Sequence, residues 1–267
     1  MKNAKPLTHA NKEAPSVEIQ TRERLEPLDR LIVALDFPTA DAAMEMVERL
    51  EGNCRWFKVG MELYYAAGNQ VIARLRERGS KVFLDLKLHD IPNTVAGAVR
   101  SVAGMGASLL TVHAGGGEEM MRAAAQAASS PGAPRLLAVT VLTSMDAAML
   151  HALGVDDAPG AQALRLARLA RAAGIDGLVC SAEEVAALRA AMGPQARLVV
   201  PGIRPANAAG RRDDQRRVAT AAEAIEHGAS MLVVGRPITQ AAEPARVAAA
   251  ILAEIASSAP PMTIKPS

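Results

Sequence analysis

Eight short runs rich in β-forming residues recur along the chain, and each is followed by a stretch with helical periodicity. The runs are LIVALD (31–36), RWFKVG (55–60), KVFLDLK (81–87), ASLLTVH (107–113), RLLAVTVL (135–142), IDGLVC (175–180), RLVVP (197–201) and SMLVVG (230–235). Helical patterns fill the gaps, among them 40–50, 62–78, 161–173 and 183–191. Strict strand–helix alternation implies parallel strands, because each connection must cross a face of the sheet. Eight such units in a chain of 267 residues predict an α/β fold, a single-domain (β/α)8 or TIM barrel. An open doubly wound sheet is the competitor. It usually carries a glycine fingerprint after its first strand, and LDFPTADAA (35–43) has none. The catalytic barrel domain is placed at 28–257. Residues 1–27 read as a polar, disordered extension without the apolar core of a secretory signal, and 258–267 as a loose tail.

Alternation within the strands assigns their faces. In the first, Leu31, Val33 and Leu35 oppose Ile32, Ala34 and Asp36; in the second, Phe57 and Val59 oppose Trp56 and Lys58. In the third, Val82, Leu84 and Leu86 oppose Phe83, Asp85 and Lys87. The first-named face of each suits the helix layer. The other turns polar only near its C-terminal end, which in a barrel is the mouth that carries active sites. Asp36, Lys58, Asp85 and Lys87 should therefore converge at one opening, with Asp90 in the loop just beyond. A single buried Asp–Lys pair would read as structural. Four alternating charges from three strands at the catalytic end read as a reaction site, because burying them is costly without a task.

A second constellation follows the last two strands, PGIRP (201–205) and GRPIT (235–239). These loops are the usual phosphate site of the fold. Gly235 permits close backbone approach, Arg236 offers a forked cation for phosphate oxygens, and Pro237 suits a first helical turn. Between the two loops runs RPANAAGRRDDQRR (204–217), long and polar, which is read as a lid. Thr143 and Ser144, at the end of the fifth strand, are placed to hydrogen-bond a ligand. His113 ends the fourth strand and reads as a supporting residue; His89 has no partner identifiable from sequence.

Composition narrows the function classes. Net charge is +2, and no basic stripe interleaved with aromatics appears, so nucleic acid is not an expected partner. No apolar run is long enough to span a membrane. Cys54 and Cys180 match no metal or redox spacing and read as free thiols in a reducing cytoplasm. No histidine pair at metal spacing and no nucleophile elbow is present.

DLKLHDIPNTV (85–95) resembles the signature of the orotidine 5'-phosphate decarboxylase family. LIVALD, KVG, TVHA, VTVLTS, PGIRP, DQRR and VVGRPIT follow in that family's order over most of 31–257, and the chain is similar to the stand-alone bacterial members. The resemblance implies decarboxylation of orotidine 5'-phosphate to UMP, the last step of de novo UMP synthesis, without metal or organic cofactor. It implies Lys87 as proton donor to C6, Asp85 facing the substrate carboxylate, and Lys58 and Asp36 on the ribose hydroxyls. It places Thr143 and Ser144 at the pyrimidine and Gln215, Gly235 and Arg236 at the phosphate, with Arg204 at the base of the lid. Asp90 and Thr94 resemble residues that the family contributes across a homodimer interface, so the catalytic set is Lys87, Asp85, Asp90 and Lys58. One departure is a slightly longer lid, with extra arginine and aspartate before Gln215. Two alternatives stand beside this reading: a magnesium-dependent sugar-phosphate decarboxylase or synthase of the same superfamily, and a non-catalytic nucleotide-binding barrel. HDIPNTV and GRPIT argue against the first, and the intact set of Lys58, Asp85, Lys87 and Asp90 against the second.

Overall fold

All eight expected strands form, and they close on themselves in sequence order. The structure is a computed structural model, and it describes residues 25–50, 52–204 and 219–258. The strands are β1 (Leu31–Ala34), β2 (Trp56–Gly60), β3 (Lys81–Leu88), β4 (Leu109–His113), β5 (Arg135–Val139), β6 (Gly177–Val179), β7 (Arg197–Val200) and β8 (Met231–Val234). Every neighbouring pair is parallel, and β8 pairs with β1 through Leu31–Leu232, Ile32–Val233 and Val33–Val234.

Helices wrap the barrel. A short α1 (Pro27–Arg30) precedes β1, and α2 (Ala40–Arg49), α3 (Met61–Ala67), α4 (Asn69–Glu77), α5 (Pro92–Ala103) and α6 (Gly117–Ala127) follow the first four strands. Then come α7 (Ala147–Ala152), α8 (Pro159–Ala172), α9 (Val185–Met192), α10 (Ala221–Glu226), α11 (Arg236–Thr239) and α12 (Pro244–Ser258). Thr39 starts α2 by accepting a hydrogen bond from the Ala42 amide at 3.2 Å. The continuous helical pattern expected over 62–78 is broken in two. Gly68 sits at φ 59°, ψ −148°, a conformation open to glycine and closed to most residues, and it ends α3 where α4 begins.

Two apolar cores follow the alternation of the strands. Leu31, Val33, Leu35, Phe57, Val59, Val82 and Leu84 pack outward against the helices. Ile32, Ala34, Trp56, Phe83, Leu109, Leu137, Val199, Met231 and Val233 fill the barrel interior. The interior is packed with side chains, as the fold requires. At the N-terminal end Asp29 ties three elements together. Its carboxylate accepts from Trp56 Nε1 at 3.0 Å and Arg55 Nη1 at 2.8 Å, and lies 3.3 Å from Lys81 Nζ. Burial alone would raise this carboxyl group's pKa, but bonds from Trp56, Lys81 and Arg55 outweigh it and hold it below its ordinary value. Both cysteines are free and buried. Burial pushes the Cys54 thiol up to about 12, which keeps it protonated and unreactive.

Candidate functional site at the barrel mouth

The C-terminal ends of the strands enclose a cavity of about 250 Å3. Its floor is the top of the interior core, with Ala34, Phe83, Val139, Val179 and Val233. Its polar wall begins with β1 to β3. Asp36, Lys58, Asp85 and Lys87 all line the cavity, as the alternation predicted.

The four charges form two ion pairs. Lys58 Nζ lies 2.7 Å from Asp36 Oδ1, with the lysine side chain 12% exposed and the aspartate 57%. Lys87 Nζ lies 2.9 Å from both Asp85 oxygens, a symmetric chelate. Asp85 is the more buried partner, so its charge depends on the lysine for compensation.

Lys87 is held in an unusual backbone geometry. Among the described residues it is the only non-glycine with positive φ, at 50°. Such a conformation costs of order 1–3 kcal/mol and persists only where surrounding structure enforces it. The β3–β4 pairing explains its origin. Between the pairs Leu84–Leu110 and Leu88–Val112, β3 has Asp85, Leu86 and Lys87 where β4 has Thr111 alone. This bulge turns the end of β3 and aims Lys87 into the mouth.

The loops after β7 and β8 supply Arg204, Gly235 and Arg236 to the same cavity. Arg236 begins α11, with Pro237 in its first turn. A Cβ on Gly235 would meet Ala34 Cβ at 3.5 Å and Asp36 Oδ2 at 3.9 Å, both ordinary contacts. Packing within the chain therefore leaves room for a side chain there, and glycine keeps that space for the cavity. The described flanks of the expected lid are tied together. Ile203 bridges Ala219, the Arg204 amide donates to Ala219 O at 2.9 Å, and the Ala219 amide donates to Gly202 O at 3.3 Å. Gln215 and the rest of the expected lid lie outside the described residues.

Other expected residues fall around the rim. Thr143 lines the cavity, while Ser144 is exposed next to it. Asp90 and Thr94 do not line it; both are exposed, and Asp90 Oδ1 accepts from the Ile91 amide at 2.6 Å. Sequence reasoning missed two features. His89 and His113 stack, with ring centroids 5.1 Å apart and planes 9° from parallel. Burial, with the nearby His89 and Lys87 charges, lowers the His113 pKa, which favours the neutral ring whose Nδ1 accepts from the Gly115 amide at 3.1 Å. The other is Thr111, fully buried beneath the charges. Its signal was present in LLTVH, where it shares a strand face with Leu109 and His113. No cluster of three or more His, Cys, Asp or Glu side chains suited to a metal ion occurs among the described residues. No helix among them is long and apolar enough to cross a membrane.

A closed parallel barrel with a polar, charge-paired cavity at its C-terminal mouth defines a (β/α)8-barrel enzyme. The model of the orotidine 5'-phosphate decarboxylase / HUMPS family matches residues 29–251. The chain is 55% identical over 229 residues to the orotidine 5'-phosphate decarboxylase of Anaeromyxobacter dehalogenans, covering 86% of this chain and 99% of the relative. It is 48% identical over 244 residues to that of Moorella thermoacetica, covering 89% and 96%. The crystal structure of orotidine 5'-phosphate decarboxylase from Lactobacillus acidophilus superposes with a TM-score of 0.74 at 39% identity, covering 85% of this chain and 99% of that one. The chain belongs to the orotidine 5'-phosphate decarboxylase / HUMPS family.

Proposed function

We propose that this protein converts orotidine 5'-phosphate to UMP and CO2, the closing step of UMP synthesis, with no metal or organic cofactor. The observation that carries the reading is the Lys87 ammonium, chelated by Asp85 on the polar wall of a cavity that also holds Arg236. Breaking the C6–carboxylate bond leaves an electron pair in the plane of the pyrimidine ring, where the π system cannot accept it. The enzyme must lower the barrier by about 20 kcal/mol, near the upper end for catalysis. A fixed ammonium at C6 stabilises that charge as it develops and then transfers a proton to the carbon. Lys87 regains its proton from solvent. Asp85 faces the departing carboxylate and holds Lys87 in place.

Binding is divided along the cavity. Lys58 and Asp36 take the ribose hydroxyls, Thr143 and Ser144 the pyrimidine, and Gly235, Arg236 and Gln215 the phosphate, with Arg204 at the base of a closing lid. Phosphate binding remote from C6 then contributes to lid closure and so to the chemical step. The protein works in the cytoplasm as a homodimer in which Asp90 and Thr94 enter the partner's site. Their exposed rim position supports this, as do the exposed apolar side chains Met61, Tyr65, Ile91, Leu142, Met149 and Leu153. All six follow the C-terminal ends of β2, β3 and β5, and surface of this kind favours an interface.

The magnesium-dependent alternative fits less well, because Asp36 and Asp85 already face ammonium groups. Loss of orotidine 5'-phosphate absorbance with purified protein, undiminished by EDTA, is the expected result. No loss, or loss abolished by EDTA and restored by magnesium, would refute the reading.

A further inference from the structure

Inward-facing layers of a (β/α)8 barrel are normally filled by branched apolar side chains. Thr111 breaks that rule. It is fully buried, on the strand face of Leu109, which belongs to the interior core. It does not line the cavity. A buried hydroxyl needs partners within the protein, and Thr111 has two. Its Oγ1 accepts from the Lys87 amide at 2.8 Å. The same oxygen donates to Asp85 Oδ1 at 3.0 Å.

These bonds meet both ends of one device. The first holds the backbone of Lys87 at its positive φ, in the bulge where Thr111 alone faces three residues of β3. The second fixes the carboxylate that chelates the Lys87 ammonium. Lys87 is thus anchored at its amide and, through Asp85, at its Nζ, by a single hydroxyl. Valine has the same branching and nearly the same volume but offers neither bond, and it would leave the Lys87 amide without this acceptor.

We infer that Thr111 is the positioning residue of the reaction: from below the floor it sets where the Lys87 ammonium stands relative to the reacting carbon. The inference rests on the decarboxylase reading for its consequence, and on geometry alone for the positioning.

Thr111→Val and Thr111→Ser test it, with two readouts. One is steady-state turnover of orotidine 5'-phosphate. The other is the rate at which Lys87 is reductively methylated in the ligand-free protein, followed by peptide mass spectrometry. Thr111→Val should lower kcat about 100-fold, the scale of a misplacement near one ångström, while KM stays within about threefold, since no substrate contact is lost. Methylation of Lys87 should quicken relative to wild type. Thr111→Ser, which keeps the hydroxyl, should restore both to near wild-type values. A structural role alone would move KM and kcat together and would not be rescued by serine. If Thr111→Val fails to fold, Thr111→Ala takes its place with the same expectations. Unchanged kcat and unchanged methylation in the variant lacking the hydroxyl would overturn the inference. Should wild-type protein not turn over the substrate, the decarboxylase reading fails separately, and methylation decides: faster in the variant supports the positioning role, equal rates overturn it.

Discussion

A Cβ built on Gly60 would lie 2.9 Å from Nζ of Lys58 and 3.1 Å from Oδ1 of Asp36. The end of β2 is therefore bare so that a lysine and an aspartate can meet above it. The obstructed atoms are ends of side chains, so Gly60→Ala should fold, with stability changed by less than about 1 kcal/mol. Lys58 would be pushed from its pairing position. KM for orotidine 5'-phosphate should rise about tenfold, on the scale of one hydrogen bond to a charged group. Unchanged kinetics in a well-folded variant would remove Lys58 and Asp36 from the ribose.

Lys87→Ala tests the proposed charge at C6. Turnover should disappear, because no other described residue stands as donor in the proposed mechanism. UMP should still bind in a calorimeter, since the ribose and phosphate groups of the site remain. A variant that kept a large part of wild-type kcat would show that the proton comes from elsewhere.

Arg236→Ala separates binding from chemistry. It should raise KM and also lower kcat if, as proposed, phosphate contacts contribute to the chemical step. A substrate without the phosphate should react about equally with both proteins. Strong slowing of that truncated substrate in the variant would place Arg236 in the chemistry or the fold instead.

The barrel was legible because its alternation is a two-residue signal that local sequence carries directly. Ile32 and Ala34 point inward and Leu31 and Val33 outward, and nothing distant had to be known to say so. The same rule brought Asp36, Lys58 and Asp85 to the mouth. It gave no warning of the bulge that bends Lys87 to φ 50°. That geometry depends on how β3 registers against β4, a relationship between segments about two dozen residues apart. Thr111 was overlooked for the same reason: its two partners lie on another strand. The break at Gly68 was missed because the helical period continues across it. The His89–His113 stack joins a strand end to a loop that sequence alone does not place beside it.

Acid stability tests the other end of the barrel. The Asp29 carboxyl has a folded-state pKa below its unfolded value of 3.8. Between those two values the unfolded chain binds more protons, so this group's contribution to stability rises with pH. It is fully present above the unfolded value and is lost as pH falls through the folded one. Asp29→Asn should cost about 1.5–3 kcal/mol near neutral pH, the range for hydrogen bonds involving a charged group. The gap between wild type and variant in denaturant titrations should narrow as pH drops below about 4. A gap that stayed constant into strong acid would mean that the charge of Asp29 contributes nothing.

The proposed homodimer predicts a complementation. Lys87 and Asp90 lie three positions apart in one chain, yet the proposal assigns them to different active sites. A two-fold interface makes that exchange reciprocal. Lys87→Ala and Asp90→Ala homodimers should both be nearly inactive. Refolded together, the two proteins should form hybrids. In a hybrid one site carries both substitutions. The other takes Lys87 from the Asp90→Ala chain and Asp90 from the Lys87→Ala chain, and is intact. Random pairing makes about half of the dimers hybrids, so about a quarter of all sites should recover full activity. Separately tagged chains would establish that hybrids had formed. If they form and activity stays at the homodimer level, Asp90 acts within its own chain or the two sites do not work independently.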